Sequence, residues 1–218
     1  KELGISYDKI VALYSGNMGG KQGLEILAET EKIIEQKNIK NIQFIFCGNG
    51  AGRADLEAAC AGLSNVMFLD LQPFERLGEL LSLADIHLLP QRADAADLVM
   101  PSKLTGMLAS GKSVIATATA DTELGYVITE DAKCGLIVTP EKALELAEAI
   151  IQLSQDSESR QLYGENGRQY AENKLSKDQI LKIFEQDLKN LISKYSENLV
   201  YFYKQLRYRL FLMIILGV

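Results

Sequence analysis

Residues 97–118, DLVMPSKLTGMLASGKSVIATA, join a short helix-forming segment rich in small residues directly to an apolar strand. The strand part, SVIATA, is a short apolar run with β-branched residues that follows a Gly-Lys pair. Short continuous runs of this kind are typical of strands buried on both faces, as in parallel sheets. The stretch therefore indicates an α/β fold in which helices alternate with buried strands.

The same alternation runs through most of the chain. Six apolar runs of strand length share the pattern: IVALYS (10–15), IQFIFCG (42–48), VMFLD (66–70), DIHLLP (85–90), SVIATA (113–118) and GLIVT (135–139). Helical periodicity lies between them, and three further helical patterns follow Pro140, with Ser157 and Ser176 at the expected N-cap positions. We expect a doubly wound parallel sheet, Rossmann-like, with additional carboxyl-terminal helices.

Composition and charge restrict the class of protein. Of 218 residues, 47% are apolar and 24% are charged, which is the balance of a globular protein rather than a disordered one. The net charge of -6 disfavours nucleic-acid binding, because nucleic-acid-binding domains usually carry a basic face. Three widely spaced cysteines and a single histidine predict neither a zinc site nor a disulfide framework. We expect a cytoplasmic location, no metal and no cofactor.

The last part of the chain differs in composition. Residues 197–218, ENLVYFYKQLRYRLFLMIILGV, are aromatic and basic and then strongly apolar. Three basic residues interrupt the apolar run, which falls short of the roughly 20 apolar residues of a transmembrane helix. Three interpretations stay open: a helix that packs on a partner domain or on the inner face of a membrane, a sequence of non-native origin, and a plain core helix. We therefore treat residues 193–218 as a separate helical tail.

Glycine-rich segments follow the first two predicted strands, where the ligands of a doubly wound sheet bind. In SGNMGGKQG (15–23), the glycines allow close approach of the backbone, and Lys21 stands near a helix start that could hold a phosphate. A turn with a solvated lysine is the alternative. The second segment, CGNGAGR (47–53), is at least as consistent with a tight turn that binds nothing.

The segment between the fourth and fifth predicted strands carries another candidate. Pro101 suits the first position of a helix, and Ser102 and Lys103 then fall in its first turn, where free amides favour an anion. A capped core helix with an incidental lysine is the alternative interpretation. His87 lies inside the preceding strand, which favours a satisfied core histidine over a catalytic one.

A family resemblance extends over residues 1–190. The order of SGNMGGKQGLEIL, FIFCGNGAGR, HLLPQ, DLVMPSKL and MLASG resembles the carboxyl-terminal half of family-four retaining glycosyltransferases of the GT-B fold, and most of all the branch of colanic acid and related exopolysaccharide biosynthesis. The resemblance implies that residues 1–192 form a nucleotide-sugar-binding domain, with a UDP or GDP sugar as substrate and no metal requirement. It also implies a saccharide or lipid-linked acceptor, bound by an amino-terminal domain that this sequence lacks, so we expect a part of a longer protein.

The same resemblance assigns roles to individual residues. It matches Lys21 to the lysine that contacts the donor diphosphate, which makes Lys21 the candidate catalytic residue through stabilisation of the leaving group. It matches Met100–Lys103 to the loop that holds the distal phosphate, and the turns at Gly48–Gly50 and Leu71–Phe74 to segments that border the base. The candidate donor-binding residues are Gly16, Asn17, Gly19, Lys21, Gly48, Gly50, Leu71, Pro73, Met100, Pro101, Ser102 and Lys103.

The sequence departs from the family pattern at three positions. Asn17 stands where many relatives have an arginine, so Lys21 or another cation such as Lys103 has to hold the diphosphate charge. Leu98 and Gly106 stand where relatives often have two glutamates, which leaves the ribose contact and the base undetermined. A non-catalytic nucleotide-binding module and one half of a sugar-nucleotide epimerase therefore stay as alternative functions.

Overall fold

The computed structural model describes residues 3–93 and 100–216, without the side chains of Lys21, 196–205 and 207–216. The strands in this part of the chain are β1 Ile10–Ser15, β2 Ile42–Cys47, β3 Val66–Leu69, β4 Ile86–Leu89, β5 Ser113–Thr117 and β6 Gly135–Val138. They form one sheet in the order β3-β2-β1-β4-β5-β6, and every neighbouring pair is parallel. All six predicted strands are confirmed, and their ends differ from the predicted ends by at most one residue.

Helices connect the strands and continue after the last one. The α-helices are α1 Glu25–Gln36, α2 Arg53–Ala59, α3 Leu77–Leu83, α4 Lys103–Ala109, α5 Glu123–Tyr126, α6 Ala143–Gln155, α7 Ser157–Tyr170 and α8 Lys177–Leu216. Short π-helical segments, Val127–Asp131 and Ala171–Leu175, follow α5 and α7. The alternation of strands and helices up to β6 is the one that the sequence predicts.

Apolar side chains of the central strands are buried on both faces of the sheet. On one face, Phe44 of β2 belongs to a buried cluster with Leu27 of α1 and Ile150 of α6. On the other face, Leu13 of β1 packs in a cluster with Leu80 of α3. Burial on both faces explains why these strands read as continuous apolar runs rather than as alternating ones.

The start of α4 differs from the prediction. The helix begins at Lys103, and Ser102 is its N-cap residue, without a side-chain cap hydrogen bond. Pro101 lies outside the helix, because its carbonyl accepts the Leu104 amide at 2.9 Å in a tight turn before α-helical bonding starts. The prediction of Pro101 as the first helical residue is therefore wrong, whereas Lys103 does lie in the first turn.

The caps of the last two helices confirm one prediction and correct another. Asp156, not Ser157, is the N-cap residue of α7, and its Oδ1 accepts the Ser159 amide at 2.9 Å. A carboxylate at this position also interacts favourably with the helix dipole. Ser176 precedes α8 as predicted, and its Oγ accepts the Gln179 amide at 3.4 Å.

The chain divides into two compact units, residues 1–172 and residues 173–218. Helix α8 runs without a break through positions 192–193, so the predicted division into 1–192 and 193–218 has no helix end to mark it and stays a prediction. No helix in the described residues has the length and apolar character to cross a membrane. Exposed apolar side chains recur three and four positions apart along α8, at Leu181, Phe184, Leu188, Leu191 and Tyr195. This stripe leaves the interpretations of the tail open.

Candidate functional site

The order of the sheet reverses between β1 and β4, because the chain continues from β1 to β2 on one side and returns through β4 on the other. In doubly wound sheets, ligands bind in the crevice beyond the carboxyl ends of the strands at such a switch point. The segment after β1 begins with Gly16, and the segment after β4 leads to Lys103 at the start of α4. Two of the segments predicted from the sequence therefore flank this crevice.

The loops that follow β1 and β2 are joined by backbone hydrogen bonds. The Gly16 amide donates to the Cys47 carbonyl at 3.0 Å, and the Met18 amide donates to the Asn49 carbonyl at 2.9 Å. In the reverse direction, the Gly52 amide donates to the Met18 carbonyl at 2.8 Å. The Met18 side chain is fully buried. We call these two hydrogen-bonded segments, 16–18 and 47–52, the loop pair.

Gly48 and Gly50 are required by the close approach within the loop pair. Their φ angles are 148° and 149°, in a region that favours glycine. A Cβ on Gly48 would lie 1.9 Å from the Gly16 carbonyl oxygen, and one on Gly50 would lie 2.5 Å from the Met18 carbonyl oxygen. The backbone alone thus accounts for these glycines, and their contact with a base stays a prediction.

Lys103 places a cation at the crevice. Its Nζ lies 4.4 Å from the centroid of the Tyr14 ring, and its Cδ lies 3.6 Å from the point that a Cβ on Gly16 would occupy. Burial lowers the pKa of Lys103 to about 8. Among the residues that the structure describes, the ammonium has no hydrogen-bond acceptor and no carboxylate partner. A largely buried cation without a counter-ion is a candidate anion-binding group.

Tyr14, the last residue but one of β1, touches both sides of this arrangement. Its side chain is fully buried beneath the Lys103 ammonium, and its hydroxyl donates to the Asn17 carbonyl at 2.5 Å. Burial raises the pKa of Tyr14, so the hydroxyl stays protonated and remains a donor. Sequence reasoning missed this residue, because in IVALYS it reads as one more apolar strand residue. The available signal was a tyrosine in a buried strand, whose hydroxyl needs a partner.

The segment after β3 exposes apolar side chains at the same edge of the sheet. Leu71 is 71% exposed and Phe74 is 85% exposed, and Pro73 between them is exposed as well. Asp70, at the start of this segment, pairs with Arg53 at 2.7 Å, and Arg53 also donates to a carbonyl of the loop pair at 2.8 Å. Arg53 therefore links the two segments, a role that its place in a helical pattern did not indicate.

A hydroxyl on β5 fixes the segment that leaves β4. Thr117 accepts the Gln91 amide at 2.6 Å and donates to the Gln91 carbonyl at 2.7 Å. Arg92 then pairs with Glu25, at the start of α1, at 2.5 Å. The crevice therefore has a fixed backbone on the β4 side as well as on the β1 side.

The structure brings only part of the predicted site together. Gly16, Asn17, Gly19, Gly48 and Gly50 lie in or beside the loop pair, with Lys103 next to Gly16. The side chain of Lys21 lies outside the described residues, so its predicted role stays a prediction, and all of Leu98, which replaces a glutamate of the relatives, lies outside them as well. Gly106 lies within α4, where a Cβ would be 3.2 Å from Leu81 Cδ1 of α3.

His87 is a core residue, as expected from its place in a strand. It is fully buried in β4, and its Nε2 lies 2.9 Å from Ser110 Oγ. The Ser110 hydroxyl donates to the Met107 carbonyl at 2.6 Å, so its oxygen accepts a hydrogen bond from Nε2–H. Burial lowers the pKa of His87 to about 3. The imidazole is therefore neutral at ordinary pH.

A cavity of about 390 Å³ lies apart from these residues, between the segment that precedes β1 and helix α3. Val11, Leu80 and Leu83 are among its apolar lining residues, and Lys9 and Glu79 are among its polar ones. None of the predicted donor-binding residues lines it. Gln72, between Leu71 and Pro73, does line it, so the cavity reaches the segment that follows β3.

Comparison with known proteins decides the family. Residues 1–170 match the family described as Glycosyl transferases group 1. The chain belongs to this family. The resemblance read from the motifs is thereby confirmed at the level of the family.

Individual relatives of this group 1 glycosyl transferase chain agree with that assignment. It is 36% identical over 190 residues to WcaI of Escherichia coli (strain K12), described as a colanic acid biosynthesis glycosyl transferase, and the match covers 86% of this chain and 45% of WcaI. Among solved structures, WaaG, a glycosyltransferase involved in lipopolysaccharide biosynthesis, has a TM-score of 0.60 at 25% identity, covering 79% of this chain and 45% of WaaG.

A further solved structure shares the fold. HepE of Anabaena, solved in complex with UDP, has a TM-score of 0.68 at 18% identity, covering 85% of this chain and 49% of HepE. The six-stranded parallel sheet and these neighbours confirm the predicted α/β, Rossmann-like fold of GT-B glycosyltransferases. This chain spans less than half the length of the curated relatives that it matches.

Proposed function

We propose that this chain is the donor-binding part of a retaining glycosyl transferase of surface-polysaccharide biosynthesis, and that its crevice holds the diphosphate of a UDP or GDP sugar. The observation that carries the proposal is the Lys103 ammonium, which lies at the switch point without a counter-ion among the described residues. A diphosphate supplies the missing negative charge and strong hydrogen-bond acceptors.

The relatives support this substrate class. WcaI and WaaG are named for colanic acid and lipopolysaccharide biosynthesis, and HepE was solved with UDP. Because the carboxyl ends of the strands form the ligand edge of such a sheet, the same edge is where a nucleotide would lie here. The exposed Leu71, Pro73 and Phe74 stand at this edge and are the proposed border of the base.

In this proposal the protein acts mainly through electrostatics. As the bond between the anomeric carbon and the diphosphate breaks, negative charge grows on the leaving group, and Lys103 and Lys21 stabilise that charge. The acceptor binds to a further domain, which would complete the site. Donor binding is metal-independent in this proposal, because the lysine ammonium groups supply the positive charge.

His87 gives no support to the alternative of an epimerase half. Epimerisation requires proton transfer by a titratable side chain that reaches the substrate. His87 is buried in the core, bonded to Ser110, and its pKa of about 3 keeps it neutral. A non-catalytic nucleotide-binding module stays the competing function, and a transfer assay distinguishes it.

The proposal predicts that this chain binds a nucleoside diphosphate and transfers no sugar by itself. Isothermal titration with UDP and GDP should give binding to at least one of them, and EDTA should leave the affinity unchanged. An assay with UDP and GDP sugars should show no transfer until an acceptor-binding domain is supplied. Absence of binding to both nucleotides would contradict the proposal. A large loss of affinity in EDTA, restored by Mg²⁺ or Mn²⁺, would contradict metal-independent binding.

Removing either proposed cation should weaken binding of the diphosphate but not of the nucleoside. Lys21→Ala and Lys103→Ala are each expected to lower the affinity for UDP or GDP about tenfold, the loss of one charge-assisted hydrogen bond. Uridine and guanosine should bind the variants as they bind the unmodified chain. Lys37→Ala is the matched control. It removes the same charge from an exposed position at the carboxyl-terminal end of α1, whereas Lys21 precedes the amino-terminal end of that helix. Equal losses for nucleoside and diphosphate would argue against the assigned role.

A further inference from the structure

The aromatic ring of Tyr14, rather than a carboxylate counter-ion, contacts the Lys103 ammonium. The Lys103 ammonium lies 4.4 Å from the centre of its ring, with no carboxylate among the described residues to neutralise it. An aromatic face attracts an ammonium through its quadrupole and offsets part of the cost of removing the charge from water. The ring uses none of the three N–H donors of the lysine, so they stay available to a ligand.

The hydroxyl of Tyr14 acts on the opposite wall of the crevice. It donates to the Asn17 carbonyl at 2.5 Å, and Asn17 lies in the loop pair between Gly16 and Met18. A phenylalanine would fill almost the same volume but would leave this carbonyl without its donor. One buried side chain therefore contacts the cation through its face and the loop through its edge.

Gly16 lies directly beside this contact between cation and ring. Its φ angle is 138°, and a Cβ there would lie 3.6 Å from Lys103 Cδ and 3.9 Å from Lys103 Nζ. The lysine side chain thus lies across the backbone at the end of β1, directly above the ring. Its position is set by β1 and by the loop pair, and not only by α4.

We propose that Tyr14 is a positioning residue for anion binding: its ring holds the Lys103 ammonium at the crevice, and its hydroxyl holds the loop pair in place through Asn17. The proposal rests on the proposed function, because the anion is the diphosphate of the donor. Tyr14 does not touch the ligand. It acts through Lys103 and through the backbone of Asn17.

The pH dependence of binding reports on this arrangement. Burial lowers the pKa of Lys103 to about 8, and no charged side chain of the described residues contributes to the shift. The lysine must be charged to hold a diphosphate, so the affinity for UDP or GDP should fall as the pH rises through about 8. In Tyr14→Phe the ring remains, and the midpoint should not move. In Tyr14→Leu the site stays apolar while the attraction of the ring is lost, so the midpoint should move to lower pH.

The test is a double-mutant cycle read with two ligands. Tyr14→Leu is expected to weaken diphosphate binding about fivefold, the loss of a desolvated cation–π contact, and to leave nucleoside binding unchanged. In the Lys103→Met background, Tyr14→Leu should weaken diphosphate binding no more than Tyr14→Phe does, because only the hydrogen bond to Asn17 is then left to lose. Tyr14→Phe should weaken diphosphate binding less than Tyr14→Leu does. A merely structural role would weaken the binding of both ligands equally, or would keep the full effect of Tyr14→Leu without Lys103, and either result would overturn the proposal.

A ligand-free measurement keeps this inference separate from the proposed function. In the unmodified chain, NMR of the lysine side chains should show the Cε methylene protons of Lys103 shifted upfield by the ring beneath them, with a titration near pH 8. If these resonances have the chemical shifts of an ordinary lysine, the Tyr14 ring does not contact the Lys103 ammonium, even if UDP binds. If they are shifted but neither UDP nor GDP binds, the proposed function and the role of Tyr14 in it are both wrong. This measurement needs no variant that could fail to fold.

Discussion

Gly48→Ala should destabilise the protein by about 3 kcal/mol or more, well beyond the usual effect of a single methyl group. The added Cβ would lie 1.9 Å from the Gly16 carbonyl oxygen, so the two segments of the loop pair would have to separate. Separation weakens the hydrogen bonds that the Gly16 and Met18 amides donate across the loop pair. Urea unfolding should show a lower midpoint with an unchanged slope.

Gly62→Ala is the matched control for this prediction. Gly62 also has a positive φ angle, of 86°, but nothing lies within 4 Å of the position that its Cβ would take. Its replacement should therefore cost about 1 kcal/mol, which is the conformational penalty alone. The difference between the two variants measures the close approach of the loops. If Gly48→Ala lost no more stability than Gly62→Ala, the loops would not be packed as described.

The free energy of unfolding should fall as the pH rises, because Glu31 is a buried carboxyl group with a raised pKa. This residue of α1 is fully buried, and within the described residues neither carboxyl oxygen has a hydrogen-bond partner. Burial, and then the charge of Glu35, raise its pKa to about 7 from an ordinary value of 4.5. Between these two pH values the unfolded chain releases the proton more readily than the folded one. Stability is therefore lost as the pH rises from about 4.5 to about 7, and the loss is complete above that range.

Glu31→Leu tests this prediction. The leucine continues the apolar stripe of Leu27 and Ile34, and it should stabilise the protein by about 2 kcal/mol at pH 8 and by much less at pH 4.5. Glu29→Leu, at an exposed position of the same helix, should change stability by no more than about 0.5 kcal/mol at either pH. Unfolding curves of both variants at the two pH values make the comparison. An equal effect of Glu31→Leu at both pH values would contradict the buried, unpaired carboxyl.

The strands were predictable because a strand that is buried on both faces has apolar residues at most of its positions. IVALYS and IQFIFC are continuous apolar runs, and the parallel pairing of β1 with β2 buries them together. Glu31 was also within reach, since it lies four positions after Leu27 and three before Ile34, on the buried stripe of α1. A pattern that counts only apolar residues passes over a carboxyl in that stripe.

The arrangement of the crevice was less accessible to sequence reasoning. The contact between Tyr14 and Lys103 joins the first strand to a helix far along the chain, and no local spacing encodes it. Gly48 and Gly50 show a second difficulty. A glycine-rich turn predicts that another group lies close to the backbone, but it does not predict whether that group is a ligand or part of the protein. In this protein the neighbour is another backbone segment. Asp156, and not the predicted Ser157, caps α7. Both residue types accept helix amides at the N-cap, so the sequence did not decide between these two neighbours.

The hydrogen bonds of the loop pair also limit how members of this family can exchange parts. Backbone amides of each segment, 16–18 and 47–52, donate hydrogen bonds to carbonyls of the other, so a foreign version of one segment has to reproduce the same backbone path. A recombination crossover between β1 and β2 would separate two segments that are hydrogen-bonded to each other. Chimeras that aim at a different nucleotide should therefore inherit both segments from one parent, with the crossover placed before β1 or after α2.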